Sequence, residues 1–167
     1  PKYHLGGDYF RDDDGTQAWG AQTYIKKMLS NYERMFGTKP KEYSSPLEKG
    51  DHPEMDVTDE LDDQGIAMYQ SLIGALQWAV FLGRFDIQCA VASMSSFRAA
   101  PRQGHLDRLK RIYGYLKRRP EAAIRFRTGI PNHKEVYEPD VYNWLYSVYG
   151  NVKEDIADEV PIPRGKP

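Results

Sequence analysis

The residues best suited to chemistry in this chain are basic side chains between positions 102 and 119. This stretch contains seven Lys or Arg and a single acid, Asp107. Solvated helices commonly mix charge signs so that residues three and four apart attract each other. A helix with so few acids indicates a surface that holds a polyanion through phosphate contacts, whereas a merely solvated face is the plainer alternative. The side chains expected to make these contacts are Lys110, Arg111, Lys117 and Arg118, together with Arg108.

Other residue types that carry chemistry are present without the spacing that a site requires. Residues 12–14 are three consecutive Asp, but neighbouring residues of an extended chain point to opposite sides, and acids at a turn are ordinarily solvated. We therefore predict no metal site. The four His are scattered, and His105, close to the start of the basic segment, is expected to cap it or to contact phosphate. Cys89 is the one cysteine of the chain, which excludes an internal disulfide.

Three amphipathic segments with short breaks would position the basic residues. Apolar residues recur at helical spacing near 66–82, near 86–98 and from 102 to 119. Asp86 is a candidate N-cap of the second segment, because its carboxylate can accept from N–H groups of the first turn. Such helices, joined by short links, should pack as a small antiparallel bundle.

Strands are predicted on both sides of these helices. An Asp-Gly pair at 14–15 predicts a β-hairpin within residues 1–21, and alternating apolar residues predict a short strand at 122–127. Between the hairpin and the bundle, a helix should begin at Gln22 and stop at Gly37. The expected fold class is α+β: an N-terminal β-hairpin, a mainly helical bundle and an irregular C-terminal tail.

The net charge of −1 conceals a strong segregation of charge along the chain. Residues 101–127 hold nine basic and two acidic side chains, whereas residues 51–63 hold seven acids and no Lys or Arg. We expect the acidic stretch to be a mobile, solvated connector. The predicted parts are a hairpin at 1–21, a helix and acidic connector at 22–63, a bundle with the basic helix and a short strand at 64–127, and a spacer at 128–167.

Several classes of function have no counterpart in the sequence. It contains neither a glycine-rich phosphate loop followed by Lys and Ser or Thr, nor a serine in a nucleophile elbow. The longest mostly apolar run, at 72–83, is too short to span a bilayer, and no signal segment opens the chain. We expect an intracellular protein that is not secreted. Because the chain starts with Pro1 and its first residues look like a strand, we also expect it to be a piece of something longer.

Several sequence blocks occur in an order that resembles the copia-type LTR retrotransposon polyproteins. The blocks lie at 4–9, 22–25, 45–47, 69–78, 84–91, 105–106 and 110–117. Two positions depart from the family pattern: Phe85 stands where the family has Pro, and Gly83 stands where it has Thr.

This resemblance implies the C-terminal part of a reverse transcriptase, an RNA-directed DNA polymerase. The hairpin would be the primer grip, with Leu5, Gly6, Tyr9 and Trp19 as its residues, and the bundle would be the thumb and the connection toward ribonuclease H. The family's catalytic aspartates lie upstream in a Tyr-Val-Asp-Asp hairpin, which this sequence lacks. We therefore expect the chain alone to be inactive and without a cofactor, although the parent polymerase would use Mg.

The resemblance also implies partners and a location. The partners would be an RNA–DNA or DNA duplex, a missing upstream palm segment and a missing downstream ribonuclease H segment, with no membrane. The location would be cytoplasmic, in a virus-like particle, or nuclear.

A function of a different class is compatible with the same charge pattern. The chain could be a helical protein-interaction module whose basic face binds an acidic partner, such as its own residues 51–63. Crosslinking between 51–63 and 102–119, without affinity for nucleic acid, would favour this reading.

Overall fold

The computed structural model describes residues 2–126, where the predicted hairpin is part of a larger sheet. The strands are β1 (Tyr3–His4), β2 (Gly7–Arg11), β3 (Gln17–Gly20) and β4 (Ala123–Phe126), arranged in the order β1-β2-β3-β4 with each neighbouring pair antiparallel. The predicted strand after the bundle is β4, and it pairs with β3 so that Ile124 lies opposite Trp19. The α+β fold class is confirmed, with a four-stranded sheet in place of an isolated hairpin.

Four helices follow the hairpin, in the regions where the apolar periodicity predicts them. They are α1 (Gln22–Phe36), α2 (Asp63–Phe81), α3 (Gln88–Ser95) and α4 (Gln103–Arg118), with short 3-10 turns at Pro53–Met55 and Phe85–Ile87. Gly37 ends α1 in the left-handed conformation, as predicted, with a φ of 69°. Within residues 2–126, no helix is both long and apolar enough to cross a membrane.

The last residues of the acidic stretch begin α2, because an N-cap is available there. The Asp62 carboxylate accepts a hydrogen bond from the Gly65 backbone N–H at 2.8 Å. This bond satisfies one of the N–H groups that the first turn of a helix leaves without a partner. The helix consequently starts three residues before the predicted position.

The prediction that Asp86 caps α3 is wrong. Asp86 lies in a 3-10 turn before the helix and makes a two-pronged ion pair with Arg84, with Arg84 Nε and Nη2 at 2.9 and 2.8 Å from the carboxylate oxygens. The Arg84 side chain is fully buried, and a buried guanidinium requires a charged partner more than a helix end does. Burial raises the pKa of Asp86, but hydrogen bonds from Arg84 and Tyr115 outweigh burial and lower it.

The core that fixes the orientation of α4 lies between the helices. Leu109, Ile112 and Leu116 are fully buried in one cluster with apolar residues of α1, α2 and α3. Two buried tyrosines tie the helices through backbone carbonyl groups: Tyr69 donates to Met94 at 2.7 Å and Tyr113 donates to Leu72 at 3.3 Å. Because one face of α4 is fixed inward, its charged residues must lie on the remaining faces. The predicted spacer at 128–167 lies outside the described residues.

Candidate nucleic-acid interface

The basic helix α4 is accompanied along its length by residues 40–61, a segment that we call the strap. The strap runs antiparallel to α4. Near its start, Pro40 accepts a hydrogen bond from Lys117 at 3.2 Å, and near its end Glu60 forms an ion pair with Arg102 at 2.9 Å. A single β-bridge also joins Glu60 to Arg102. The strap therefore covers the side of α4 on which several of the predicted phosphate contacts lie.

Arg108 is the most completely paired cation of α4. Its Nε and Nη2 donate to the Asp51 carboxylate at 2.8 Å each, and its Nη1 donates to Asp56 at 2.5 Å. The three side chains are largely buried, with exposed fractions of 21% for Arg108, 14% for Asp51 and 6% for Asp56. Two carboxylates thus hold one guanidinium in a partly dry setting, where charge-assisted hydrogen bonds are strong.

The acid–base behaviour of the two strap carboxyl groups follows from this arrangement. The hydrogen bond from Arg108 is the main cause that lowers the pKa of Asp51. Burial raises the pKa of Asp56, but hydrogen bonds from Thr58 and Arg108 outweigh burial and lower the pKa to about 2. Both groups are therefore charged at neutral pH, and Arg108 is neutralised locally.

Arg111 is also occupied by the strap. Its Nη1 donates to Glu48 at 2.7 Å, and its guanidinium carbon lies 4.4 Å from the centre of the Tyr43 ring, a distance at which a cation is attracted to the ring face. The Arg111 side chain is 18% exposed. Arg111 therefore contacts the strap through both its charge and its flat surface.

Two glycines of α4 allow the strap to approach the helix backbone. A Cβ atom at Gly114 would overlap the carbonyl oxygen of Lys41, and a Cβ at Gly104 would overlap the Asp56 carboxylate. The Gly104 backbone N–H also donates to the Thr58 hydroxyl at 2.9 Å. A side chain at either position would push the strap away, so these residues make the close contact possible.

The prediction that residues 51–63 form a mobile, solvated connector is wrong for Asp51 and Asp56, whereas the other five acids of this stretch are exposed. Asp51 and Asp56 are largely buried against Arg108, as described above. The signal was present in the sequence, since seven acids in one segment match seven cations in another. Composition alone indicates disorder, but complementary charge elsewhere in the chain supplies partners.

Three other cations of α4 lie closer to solvent, although one of them, Lys117, also contacts the strap. Arg118 is exposed, and Lys110 and Lys117 have side chains that are 32% and 31% exposed. Lys110 pairs with Asp107 at 2.7 Å, and Lys117 pairs with Glu42 at 3.3 Å, but both acids are more than half exposed. An open cavity of about 550 Å³ lies at this end of the helix, lined by Glu42 and residues 117–122.

His105 caps α4 and does not face solvent. Its Nδ1 accepts from the Arg102 backbone N–H at 3.0 Å, and its Nε2 lies 2.9 Å from the Pro53 carbonyl oxygen. Because Nδ1 is an acceptor, Nε2 must carry the proton and donate. The ring is 3% exposed and stacks on Phe97. Of the two predicted roles, the structure supports capping.

The four predicted primer-grip residues lie in and around the hairpin. Leu5 is 75% exposed in the turn before β2, and Gly6 follows it next to Trp78 and Leu82. Tyr9 stacks on Trp19, with ring centres 6.3 Å apart and planes 15° from parallel.

Within residues 2–126, no cluster of three or more His, Cys, Asp or Glu is arranged to hold a metal ion.

The sequence is similar to a protein of a transposon. A Saccharomyces cerevisiae protein named as a putative transposon Ty5-1 protein is 29% identical to this chain over 129 residues. The chain is related to a transposon protein. The aligned part is 75% of the chain and 39% of the yeast protein, so the chain spans well under half of that relative. No family model matches the sequence, and no solved structure matches it.

Proposed function

We propose that the chain is part of a retrotransposon RNA-directed DNA polymerase and holds the template–primer duplex through phosphate contacts. The observation that carries this proposal is the similarity to a transposon protein over 129 residues. The sequence blocks that resemble copia-type polyproteins, and occur in the same order, support the narrower assignment to a reverse transcriptase. A polymerase must hold a growing duplex without reading its sequence, so Lys and Arg contacts to phosphate are the chemistry required.

The phosphate contacts are proposed for Lys110, Lys117 and Arg118. Ion pairs between exposed partners contribute little, about 0–1 kcal/mol, so a phosphate can replace the acids that face the two lysines. Lys117 also contacts the strap, but its ion pair is longer, at 3.3 Å, and its side chain is 31% exposed. Arg108 and Arg111 are less exposed and would first have to give up shorter contacts to the strap, at 2.8 and 2.7 Å. Their part in the interface is therefore to hold the strap on α4.

The hairpin is proposed to contact the primer end. Leu5 and Gly6 form an exposed turn beside α2, and the adjacent strand carries Tyr9. Such a turn can meet a nucleic-acid strand through its backbone, whatever the base sequence. The missing palm segment would supply the catalytic aspartates and their Mg.

Duplex binding can be tested by fluorescence anisotropy with a labelled RNA–DNA hybrid at several salt concentrations. The double variant Lys117→Glu and Arg118→Glu should bind at least about tenfold more weakly at low salt. The magnitude of the negative slope of log affinity against log salt should decrease by about 2. A matched control reverses two exposed cations elsewhere, Lys26→Glu and Arg98→Glu, and should change both quantities less. Equal losses in both double variants would contradict the assignment to α4.

The proposal also includes the absence of polymerase activity in the isolated chain. A primer-extension assay with Mg and deoxynucleotides should show no product, because the sequence lacks the Tyr-Val-Asp-Asp hairpin. Measurable extension would refute the interpretation as a fragment without the catalytic residues.

The interaction-module alternative gains one specific observation, since the strap acids already fill part of the basic face of α4. Crosslinking between the strap and α4 is therefore expected under both hypotheses and does not separate them. The discriminating measurement is duplex affinity: a chain without salt-sensitive binding would favour the interaction module.

A further inference from the structure

One face of the sheet carries aromatic and basic side chains in two cross-strand rows. The strand register places Tyr9, Trp19 and Ile124 opposite one another, and then Arg11, Gln17 and Phe126 two residues further along. Side chains two residues apart on a strand lie on the same face. Lys2 joins the first row, because its carbonyl oxygen accepts from the Tyr9 backbone N–H at 2.9 Å.

This face is covered at one end and open at the other. Ile124 packs over Gly83 at the end of α2, where a Cβ on Gly83 would lie 3.0 Å from the Ile124 side chain. In contrast, Tyr9 is 43% exposed and Phe126 is 53% exposed. A concavity of about 580 Å³ lies over the open part, within the size range of small-molecule sites. Its lining consists of Lys2, Tyr9, Phe10, Arg11, Gln17, Ala18 and Phe126.

The charge of this concavity is one-sided. Among the described residues that line it, Lys2 and Arg11 are cations and none is an acid. Within residues 2–126, neither cation forms an ion pair, in contrast to Arg108 and Arg111 of α4. Partly exposed aromatic rings beside cations that form no ion pair within residues 2–126 suit a ligand that has flat rings and negative charge.

We propose that this face binds single-stranded nucleic acid. Unpaired bases would stack on the rings of Tyr9 and Phe126, the phosphates would lie near Lys2 and Arg11, and the Gln17 amide would meet a base edge. Aromatic stacking beside basic side chains is the general mode of sequence-tolerant single-strand binding. A duplex cannot use the aromatic rings in this way, because its bases are already stacked on each other. The inference rests on the proposed function and adds a second, single-strand contact to the duplex contact at α4.

The test compares two oligonucleotides of about fifteen nucleotides, oligothymidine and an abasic strand of the same length, in anisotropy titrations with the full 167-residue chain. The wild type should bind oligothymidine at least about tenfold more tightly, since only that strand can stack. The double variant Tyr9→Leu and Phe126→Leu keeps apolar side chains but removes the π faces. It should lose that advantage. The single variant Phe126→Leu leaves the proposed primer contact at Tyr9 in place, so it should lose part of the advantage and still bind the hybrid duplex as the wild type does, while the conservative variant Phe126→Tyr should keep the advantage.

Equal affinity of the wild type for the two strands, or an unchanged advantage in the double Leu variant, would overturn the inference. Photo-crosslinking of a 5-bromouracil strand to the wild type gives a measurement that needs no variant. The crosslinked peptide should contain Tyr9 or Phe126, and exclusive crosslinking elsewhere would also overturn it. A concentration-dependent dimer that the double Leu variant abolishes would assign the face to a second copy of the chain instead.

The two proposals fail in distinguishable ways. Loss of hybrid binding with a retained preference for oligothymidine would refute the duplex contact at α4 and leave the sheet contact standing. Retained hybrid binding without that preference would do the reverse.

Discussion

The strap-covered side of α4 and the open face of the sheet both carry cations, but in very different surroundings. On α4, Arg108 lies between two carboxylates with its side chain 21% exposed. On the sheet, Arg11 and Lys2 border a concavity whose described lining contains no acid. The difference teaches that a dense run of basic residues is not the same as an available basic surface. Lys2 and Arg11 lie outside any dense basic run of the sequence, and the described lining of their concavity contains no acid that could compete with a ligand for them.

The largest expected effect tests how firmly the strap is held. Arg108→Ala removes the one partner that Asp51 and Asp56 share and leaves two largely buried carboxylates facing each other. Breaking a buried pair in this way costs about 3–5 kcal/mol, and partial exposure reduces the expectation to about 3 kcal/mol. Urea denaturation followed by circular dichroism measures the change in the free energy of unfolding. A loss below about 1 kcal/mol would mean that the pairing is a surface contact.

The second-largest effect distinguishes the close approach of the strap to α4 from the intrinsic helix propensity of glycine. Gly114→Ala should destabilise by about 2 kcal/mol, because the new methyl group would overlap the backbone of Lys41. Gly74→Ala is the matched control in α2, where nothing lies within 4 Å of the added Cβ. It should stabilise by about 0.5–1 kcal/mol, since alanine favours a helix over glycine. The same sign in both variants would contradict the packing of the strap on α4.

A smaller effect is expected from pH. Because the pKa of Asp56 is lowered to about 2, the folded state binds this proton less readily than the unfolded state does. The resulting stability is present above about pH 4 and is lost as the pH falls toward 2, amounting to about 1–2 kcal/mol. Asp56→Asn should flatten this part of the stability curve relative to the wild type. An unchanged acid slope in that variant would show that Asp56 does not carry the effect.

The smallest effect is expected at the solvent-exposed end of α4. Arg118→Ala should change the free energy of unfolding by less than about 0.5 kcal/mol, because Arg118 is exposed. Set beside Arg108→Ala, this variant measures the contrast between a cation held by the strap and one left at the surface. Comparable losses in the two variants would remove that contrast.

The parts of the fold that depend on local pattern could be predicted, and those that depend on distant partners could not. The four helices follow from apolar spacing, and the stop of α1 follows from Gly37. The role of Asp86 was missed because its partner, Arg84, is a buried cation that no periodicity identifies. The packing of 51–63 was missed for a related reason, since its acids meet Arg108 across more than fifty residues of chain.

The candidate site shows the same division. The charge pattern identifies the basic residues of α4, but it does not indicate which of them are already paired. The open face of the sheet was missed because its two exposed rings, Tyr9 and Phe126, are more than a hundred residues apart in sequence and come together only through the pairing of β3 with β4. A single-sequence analysis has no means to place them together.

One of the two glycines of α4 has a consequence for the segment in isolation. Gly114, in the helix interior, lowers helix stability by about 1 kcal/mol relative to alanine, and a helix of sixteen residues is marginal in water even with favourable residues. A synthetic peptide of residues 103–118 should therefore be largely a random coil. Adding a peptide of residues 40–61 in trans supplies the acids that pair with α4 and should restore part of the helicity. That result would show that α4 depends on the strap for its helical structure.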